Sequence, residues 1–87
     1  MTQKTRLVQE IRAFLEEYIR RDTEILSFHD VRVVGEQRKN LIFDVVIRKD
    51  IEEGQYNRIL YRIRNHLRKR FPQIKGIVIK AERLFTY

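Results

Sequence analysis

The sequence predicts a small α+β domain in which two helices cover one face of a three-stranded sheet. Two segments repeat apolar residues every three or four positions, as amphipathic helices do. Three shorter segments alternate apolar and polar residues, which is typical of strands with one buried face. Their order along the 87 residues is helix, strand, strand, helix, strand. The simplest packing of these elements is a two-layer α-β-β-α-β sandwich with a mixed sheet, one half of a ferredoxin-like arrangement, and residues 1–87 form one domain.

The helices are predicted over about residues 5–21 and about residues 51–71. The apolar stripe of the first consists of Leu7, Val8, Ile11, Phe14, Leu15 and Tyr18. The stripe of the second consists of Tyr56, Ile59, Leu60, Ile63, Leu67 and Phe71. Asp50 and Glu53 have the spacing of a capping box, so Asp50 is the predicted N-cap of the second helix. Pro72 is expected to end that helix.

The strands are predicted over about residues 25–34, 41–48 and 77–85. The short polar link between the first two predicts an antiparallel hairpin. The connection through the second helix is long enough to place the third strand parallel to the second. Alternation puts the two sets of second-strand residues on opposite faces, Leu41, Phe43, Val45 and Ile47 on one and Ile42, Asp44, Val46 and Arg48 on the other. In the third strand, Ile77, Ile79 and Ala81 alternate against Val78, Lys80 and Glu82.

Several functional classes are disfavoured by what the chain does not contain. It has no cysteine, so disulfides and thiolate metal sites are excluded. No apolar run reaches the roughly 18 residues of a membrane-spanning helix, and the polar N-terminus does not read as a signal peptide. Its three glycines are scattered, so there is no glycine-rich phosphate loop. Ser27 and His29 are spaced to share a strand face, but nothing indicates a third group that would orient them, so we do not predict an enzyme.

The net charge of +7 points to an anionic partner, either a membrane surface or nucleic acid. A basic surface is predicted on the second helix, which carries no acid between Arg58 and Arg70; it comprises Arg58, Arg62, Arg64, Arg68 and Lys69. Such a surface suits anionic lipid headgroups, and it could also track phosphates. A stand-alone basic RNA-binding module is therefore the alternative function. Nucleic acid is the less favoured partner, because the sheet shows no exposed aromatic residues of the kind that RNA-recognition sheets use.

The outer face of the predicted sheet is half apolar, since Ile42, Val46 and Val78 lie beside Asp44, Lys80 and Glu82. A contiguous face of this kind indicates a partner surface. A chain of this size has a modest core and often gains stability from a second copy, so a homodimer is expected.

Four segments, FHDVRV, LIFDVVI, LRKRFP and IKGIVIKAE, resemble the cytoplasmic C-terminal domain of the cation diffusion facilitator family. The resemblance covers roughly residues 10–82, and its most specific parts are the His29-Asp30-Val31-Arg32 and Arg70-Phe71-Pro72 motifs. It implies a homodimeric α-β-β-α-β domain, in the cytoplasm, joined to the transmembrane portion of a transporter that exports zinc or a related divalent cation. By this resemblance the chain has a regulatory, dimerising and non-catalytic role.

The resemblance also implies where metal would bind. The family pattern of ligands, His, His and His-x-Asp, is matched in this chain by His29, by a position at or next to Asp44, and by Lys80 and Glu82. Histidine is kept at one of these four places. Lysine offers no lone pair and repels a dication. We therefore expect Lys80 to pair with Asp44, and zinc or another divalent cation to bind weakly or not at all, with His29, Asp44 and Glu82 as the candidate ligands.

The predicted dimer interface lies on the same face and contains Ile42, Asp44, Val46, Val78, Lys80 and Glu82.

Overall fold

The fold has the predicted order of elements. The computed structural model describes residues 2–84, and its elements are α1 (Gln3–Arg21), β1 (Ile25–Val34), β2 (Lys39–Arg48), α2 (Glu53–Arg70) and β3 (Ile74–Leu84). The α+β class, with two helices and a three-stranded mixed sheet, is confirmed. The strands β2 and β3 begin two and three residues earlier than predicted, and the predicted end of the third strand at Phe85 lies outside the described residues.

The sheet has the strand order β1-β2-β3, so β2 is its central strand. β1 pairs with β2 antiparallel, and β3 pairs with β2 parallel, both as predicted. Apart from Phe43, which lies opposite a register shift in β1, each residue of β2 from 40 to 47 therefore has a neighbour on both sides. Rows of three side chains run across the sheet as a result.

The core lies between one face of the sheet and the two helices. Leu41, Phe43, Val45 and Ile47 of β2 are each at most 1% exposed. The helices contribute the buried residues Leu7, Ile11 and Leu15 from α1 and Ile59, Ile63 and Leu67 from α2. No described helix lies over the opposite face, which we call the open face. The open face comprises Ser27, His29, Arg32 and Val34 of β1, Ile42, Asp44 and Val46 of β2, and Val78, Lys80 and Glu82 of β3.

The predicted N-cap of the second helix is wrong. α2 begins at Glu53 with Glu52 in the N-cap position, and Glu52 makes no side-chain capping hydrogen bond. Asp50 instead accepts hydrogen bonds from the Nε and Nη2 atoms of Arg48, at 3.1 and 2.6 Å. This charge-assisted contact lowers the pKa of Asp50 and holds its carboxylate towards the end of β2. The carboxylate is therefore not available to the first turn of the helix.

Two glycines occupy contrasting environments. Gly35 in the hairpin has φ +98°, and a Cβ atom added there would collide with the backbone carbonyl of Arg38. Gly54 lies in the first turn of α2, where an added Cβ atom would meet nothing within 4 Å. A close packing contact is therefore not the reason for glycine at position 54.

We predict opposite effects for alanine at these two positions. Gly35→Ala should lower the free energy of unfolding by more than about 1 kcal/mol, because both the left-handed backbone and the carbonyl oppose a Cβ atom. Gly54→Ala should raise it by about 0.5–1 kcal/mol, because alanine favours the helix and has space there. Urea denaturation of the three proteins measures both changes. A Gly35→Ala protein as stable as the parent would contradict the hairpin geometry.

Candidate functional site

The open face arranges the predicted site residues in rows across the three strands. Asp44 is the register partner of His29 in β1 and of Lys80 in β3. Glu82 lies one row away, opposite Val46. The three rows are His29–Asp44–Lys80, Ser27–Val46–Glu82 and Arg32–Ile42–Val78. The six predicted interface residues therefore lie together on one side of the sheet.

A bulge in β1 places His29 on this face. Strict alternation would put His29 on the same side as Val31 and Val33. In the structure Val31 and Val33 are buried while His29 is exposed. The register shifts between His29 and Arg32, and Asp30 within this bulge has φ +55°. The signal in the sequence was Asp30 itself, because aspartate is among the few non-glycine residues that adopt a left-handed conformation readily.

Ser27 and Arg32 also lie on the open face. Ser27 faces the same side as His29, whereas Arg32 lies there by ordinary alternation with the buried Val31 and Val33. Ser27 Oγ and His29 Nε2 lie 3.0 Å apart and share a hydrogen bond. Arg32 is exposed beside Ile42. The open face is thus more basic along β1 than the predicted interface list indicated.

The described residues of one chain do not fit a resident divalent cation. Among residues 2–84, no group of three or more His, Asp or Glu side chains is close enough to hold a metal ion. His29 and Asp44 are neighbours, but Glu82 lies in another row, and Lys80 completes the row of Asp44. The Lys80 ammonium has no lone pair and repels a dication. The structure thus does not bring His29, Asp44 and Glu82 into one ligand set.

The expected ion pair between Asp44 and Lys80 is not formed. The ion pairs within the described part of the chain are Lys4–Glu36, Arg20–Glu17, Arg21–Glu17 and Arg48–Asp50. Lys80 is exposed, so water competes for its ammonium and an intrachain pair would be worth little. Asp44 is half-buried, and its carboxylate forms no ion pair with the described residues of its own chain.

The apolar part of the open face is accessible to solvent. Val78 is 49% exposed, and Ile42 and Val46, which flank Asp44 along β2, are half-buried. Ile42 and Val78 are neighbours in one row, and Val46 lies two rows away beyond Asp44; we call these three residues the apolar patch. The face therefore combines apolar area with charges of both signs, as protein interfaces do.

The predicted basic surface lies on α2, on the side of the helix that faces away from the core. Arg58, Arg62, Arg68 and Lys69 are exposed, whereas Arg64 is half-buried on the flank of the helix. None of them forms an ion pair with another described residue. Tyr61 is 64% exposed among them. We call Arg58, Tyr61, Arg62, Arg68 and Lys69 the basic face of α2.

No helix in the described range is both long enough and apolar enough to span a membrane.

Solved structures resemble this chain closely, although no protein-family model matches its sequence and no curated protein matches it significantly. CzrB, assigned as a zinc transporter, matches with a TM-score of 0.79 and 28% identity over 92% of this chain and 95% of that chain. The zinc form of CzrB matches with a TM-score of 0.76 and 30% identity, over 90% and 85% of the two chains. The cytosolic domain of a cation diffusion facilitator family protein has the same fold, with a TM-score of 0.76 at 18% identity over 95% and 98%. The chain therefore belongs with the cytosolic C-terminal domains of the cation diffusion facilitator family of transporters.

Proposed function

We propose that this chain is the regulatory, non-catalytic dimerisation domain of a zinc-type divalent cation efflux transporter, and that two copies pair through their open faces. The observation that carries the proposal is the combination on that face of accessible apolar residues with a half-buried Asp44 that forms no ion pair with the described residues of its own chain. Membership of a family of transporter domains supports attachment to a transmembrane portion.

Apolar contact would supply most of the attraction between the copies. Ile42 and Val78 are register neighbours, and Val46 lies beyond Asp44 on the same strand. Burying the three against a second copy removes apolar area from water at about 25 cal/mol per Å². A two-fold axis makes such an interface isologous, so each contact occurs twice. The same patch thus serves both copies.

Charge would set the register of the pair. Asp44 and Glu82 are acidic, whereas Arg32 and Lys80 are basic, and these four residues alternate with the apolar ones across the three rows. A two-fold arrangement can oppose the acidic residues of one copy to the basic residues of the other. Exclusion of water strengthens these pairs relative to an exposed pair within one chain. Asp44 would gain in the dimer an ion pair that no described residue of its own chain provides.

Metal would contribute little to this association. CzrB has been solved in a zinc form, but here Lys80 places a fixed positive charge beside Asp44 and His29. Zinc or another divalent cation is then the cargo of the attached transporter, and the domain does not require it as a ligand. Regulation would act through the association of the two copies, which biases the arrangement of the transmembrane portions joined to them.

The Ser27–His29 hydrogen bond does not change the non-catalytic assignment. A nucleophile and base of this kind need a third group that orients the imidazole. Within the described residues, no carboxylate accepts a hydrogen bond from His29, and the pair lies on an open sheet face. The hydrogen bond supports an orienting role for Ser27 within the interface.

We predict that a single lysine on the patch separates the copies. The parent protein should have the mass of a dimer in size-exclusion chromatography with light scattering, with added zinc and with a chelator alike. Val78→Lys should have the mass of a monomer, because it buries a charge next to Lys80 in the interface. Leu26→Lys is the matched control, since Leu26 is 43% exposed and lines a groove with residues of α1, including Arg12, Glu16 and Ile19, at the edge strand β1, and it should remain a dimer. A monomeric parent protein, or a dimeric Val78→Lys variant, would refute the interface.

We also predict that replacing one side chain restores metal binding. Lys80→His removes the ammonium and adds an imidazole to the row of His29 and Asp44, so the dissociation constant for zinc should fall by about tenfold or more. Lys80→Gln removes the same charge without adding a strong ligand and should show a smaller change. Calorimetric titration with zinc measures both. Stoichiometric micromolar binding of zinc by the parent protein, lost in His29→Ala, would show that the weak-metal assignment is wrong.

A further inference from the structure

The acid-free part of the chain lies mainly on α2 and its continuation into β3. No aspartate or glutamate occurs between residues 54 and 81, whereas this range holds eight lysines and arginines. All twelve acidic residues lie outside it, so the net charge of +7 is unevenly distributed. A surface with positive charges and no negative ones creates a positive potential that attracts an anionic partner.

The basic face of α2 is exposed and its charges are not neutralised within the described chain. Arg58, Arg62, Arg68 and Lys69 are all solvent-exposed and form no ion pair with described residues. The four ion pairs among the described residues join residues of α1, the hairpin, the end of β2 and the turn that follows it. The positive potential of this helix is therefore available to a partner.

The shape of the surface favours a broad partner over a strand of nucleic acid. From Arg58 to Lys69 the basic residues extend for about 16 Å along a convex helix, at 1.5 Å per residue. Single-stranded nucleic acid is usually held in a groove with several aromatic side chains that stack on bases. Here Tyr61 is the exposed aromatic residue of the face, and on the open face the described residues include no Phe or Tyr. A tyrosine among basic residues also suits the interfacial region of a lipid bilayer.

The basic face also stays free when the open face is covered. The core-facing stripe of α2, which includes Ile59, Ile63 and Leu67, packs on the covered side of the sheet. The basic residues point away from that stripe, so they lie on the far side of the molecule from the open face. Pairing through the sheet would therefore leave one basic face exposed on each outer side of the dimer.

We propose that the basic face of α2 docks on anionic lipid headgroups of the membrane that holds the attached transporter. The proposal rests on the proposed attachment to a transporter, but it does not require dimerisation. Anionic headgroups would replace the missing acidic partners of Arg58, Arg62, Arg68 and Lys69, and Tyr61 would lie between them. Since the interaction is electrostatic and exposed, it weakens as salt increases.

Vesicle co-sedimentation tests the proposal. The parent protein should bind vesicles of phosphatidylcholine with about 30% phosphatidylglycerol at low salt, and should release them at about 0.5 M salt. It should not bind vesicles of phosphatidylcholine alone. The combined variant Arg58→Gln, Arg62→Gln and Lys69→Gln should bind the anionic vesicles at least about tenfold more weakly.

A matched variant distinguishes the effect of the basic face on vesicle binding from the effect of net charge. The control combines three substitutions that remove an equal number of positive charges elsewhere, Arg6→Gln on α1, Arg38→Gln in the hairpin and Lys49→Gln in the turn after β2. All three residues are exposed and form no ion pair with described residues. This control should lose less than about threefold in vesicle binding. Circular dichroism should show that both variants keep the fold.

Three results would overturn the proposal: equal losses in the two triple variants, equal binding to neutral vesicles, or binding of a single-stranded RNA without binding of anionic vesicles. Failure of the proposed dimer would be visible separately in light scattering, because a monomer with this face still binds the anionic vesicles.

Discussion

Each residue of the central strand points either into a core closed by two helices or onto a face for which the described chain has no third layer. Leu41, Phe43, Val45 and Ile47 take the first direction, and Ile42, Asp44 and Val46 take the second. Both directions carry apolar side chains, so the strand resembles one that is buried on both sides. β2 thus has apolar side chains on both faces, but helices pack on only one of them, and the properties of the open face follow from this difference.

The charged residues of the open face follow from the same strand. Because β2 is central, Asp44 has a register partner on each side, His29 and Lys80. A cation-binding row would need a third lone-pair donor where the ammonium lies. The row therefore has charges that can pair with a second copy, and it does not have the ligands for a metal within one copy. For this chain, these residues favour association of two copies through apolar contacts and ion pairs. Its relative CzrB, by contrast, has been solved in a zinc form.

The sequence was sufficient to predict the parts that depend on regular alternation. The two faces of β2, the two helix stripes and the parallel placement of β3 depend on period and connection length, which are visible without coordinates. It was not sufficient where one residue breaks the period. The bulge at Asp30 reversed the facing of His29 relative to Val31, and the Arg48 contact removed Asp50 from its predicted capping role. Both depend on local geometry that competes with the simple pattern. The expected Asp44–Lys80 contact shows a further limit, because register brings two residues side by side without determining how their side chains extend.

The most direct test of open-face pairing is to measure by NMR how far the open face is protected from solvent. A soluble paramagnetic agent added to the methyl-labelled protein broadens the NMR signals of methyl groups that water reaches. The account predicts weak broadening at Val78, Ile42 and Val46, and strong broadening at Leu26, which is about as exposed as Val78 in the single chain, at 43% against 49%. Broadening at Val78 as strong as that at Leu26, at concentrations where a dimer should form, would show that the face is bare and would contradict the central claim.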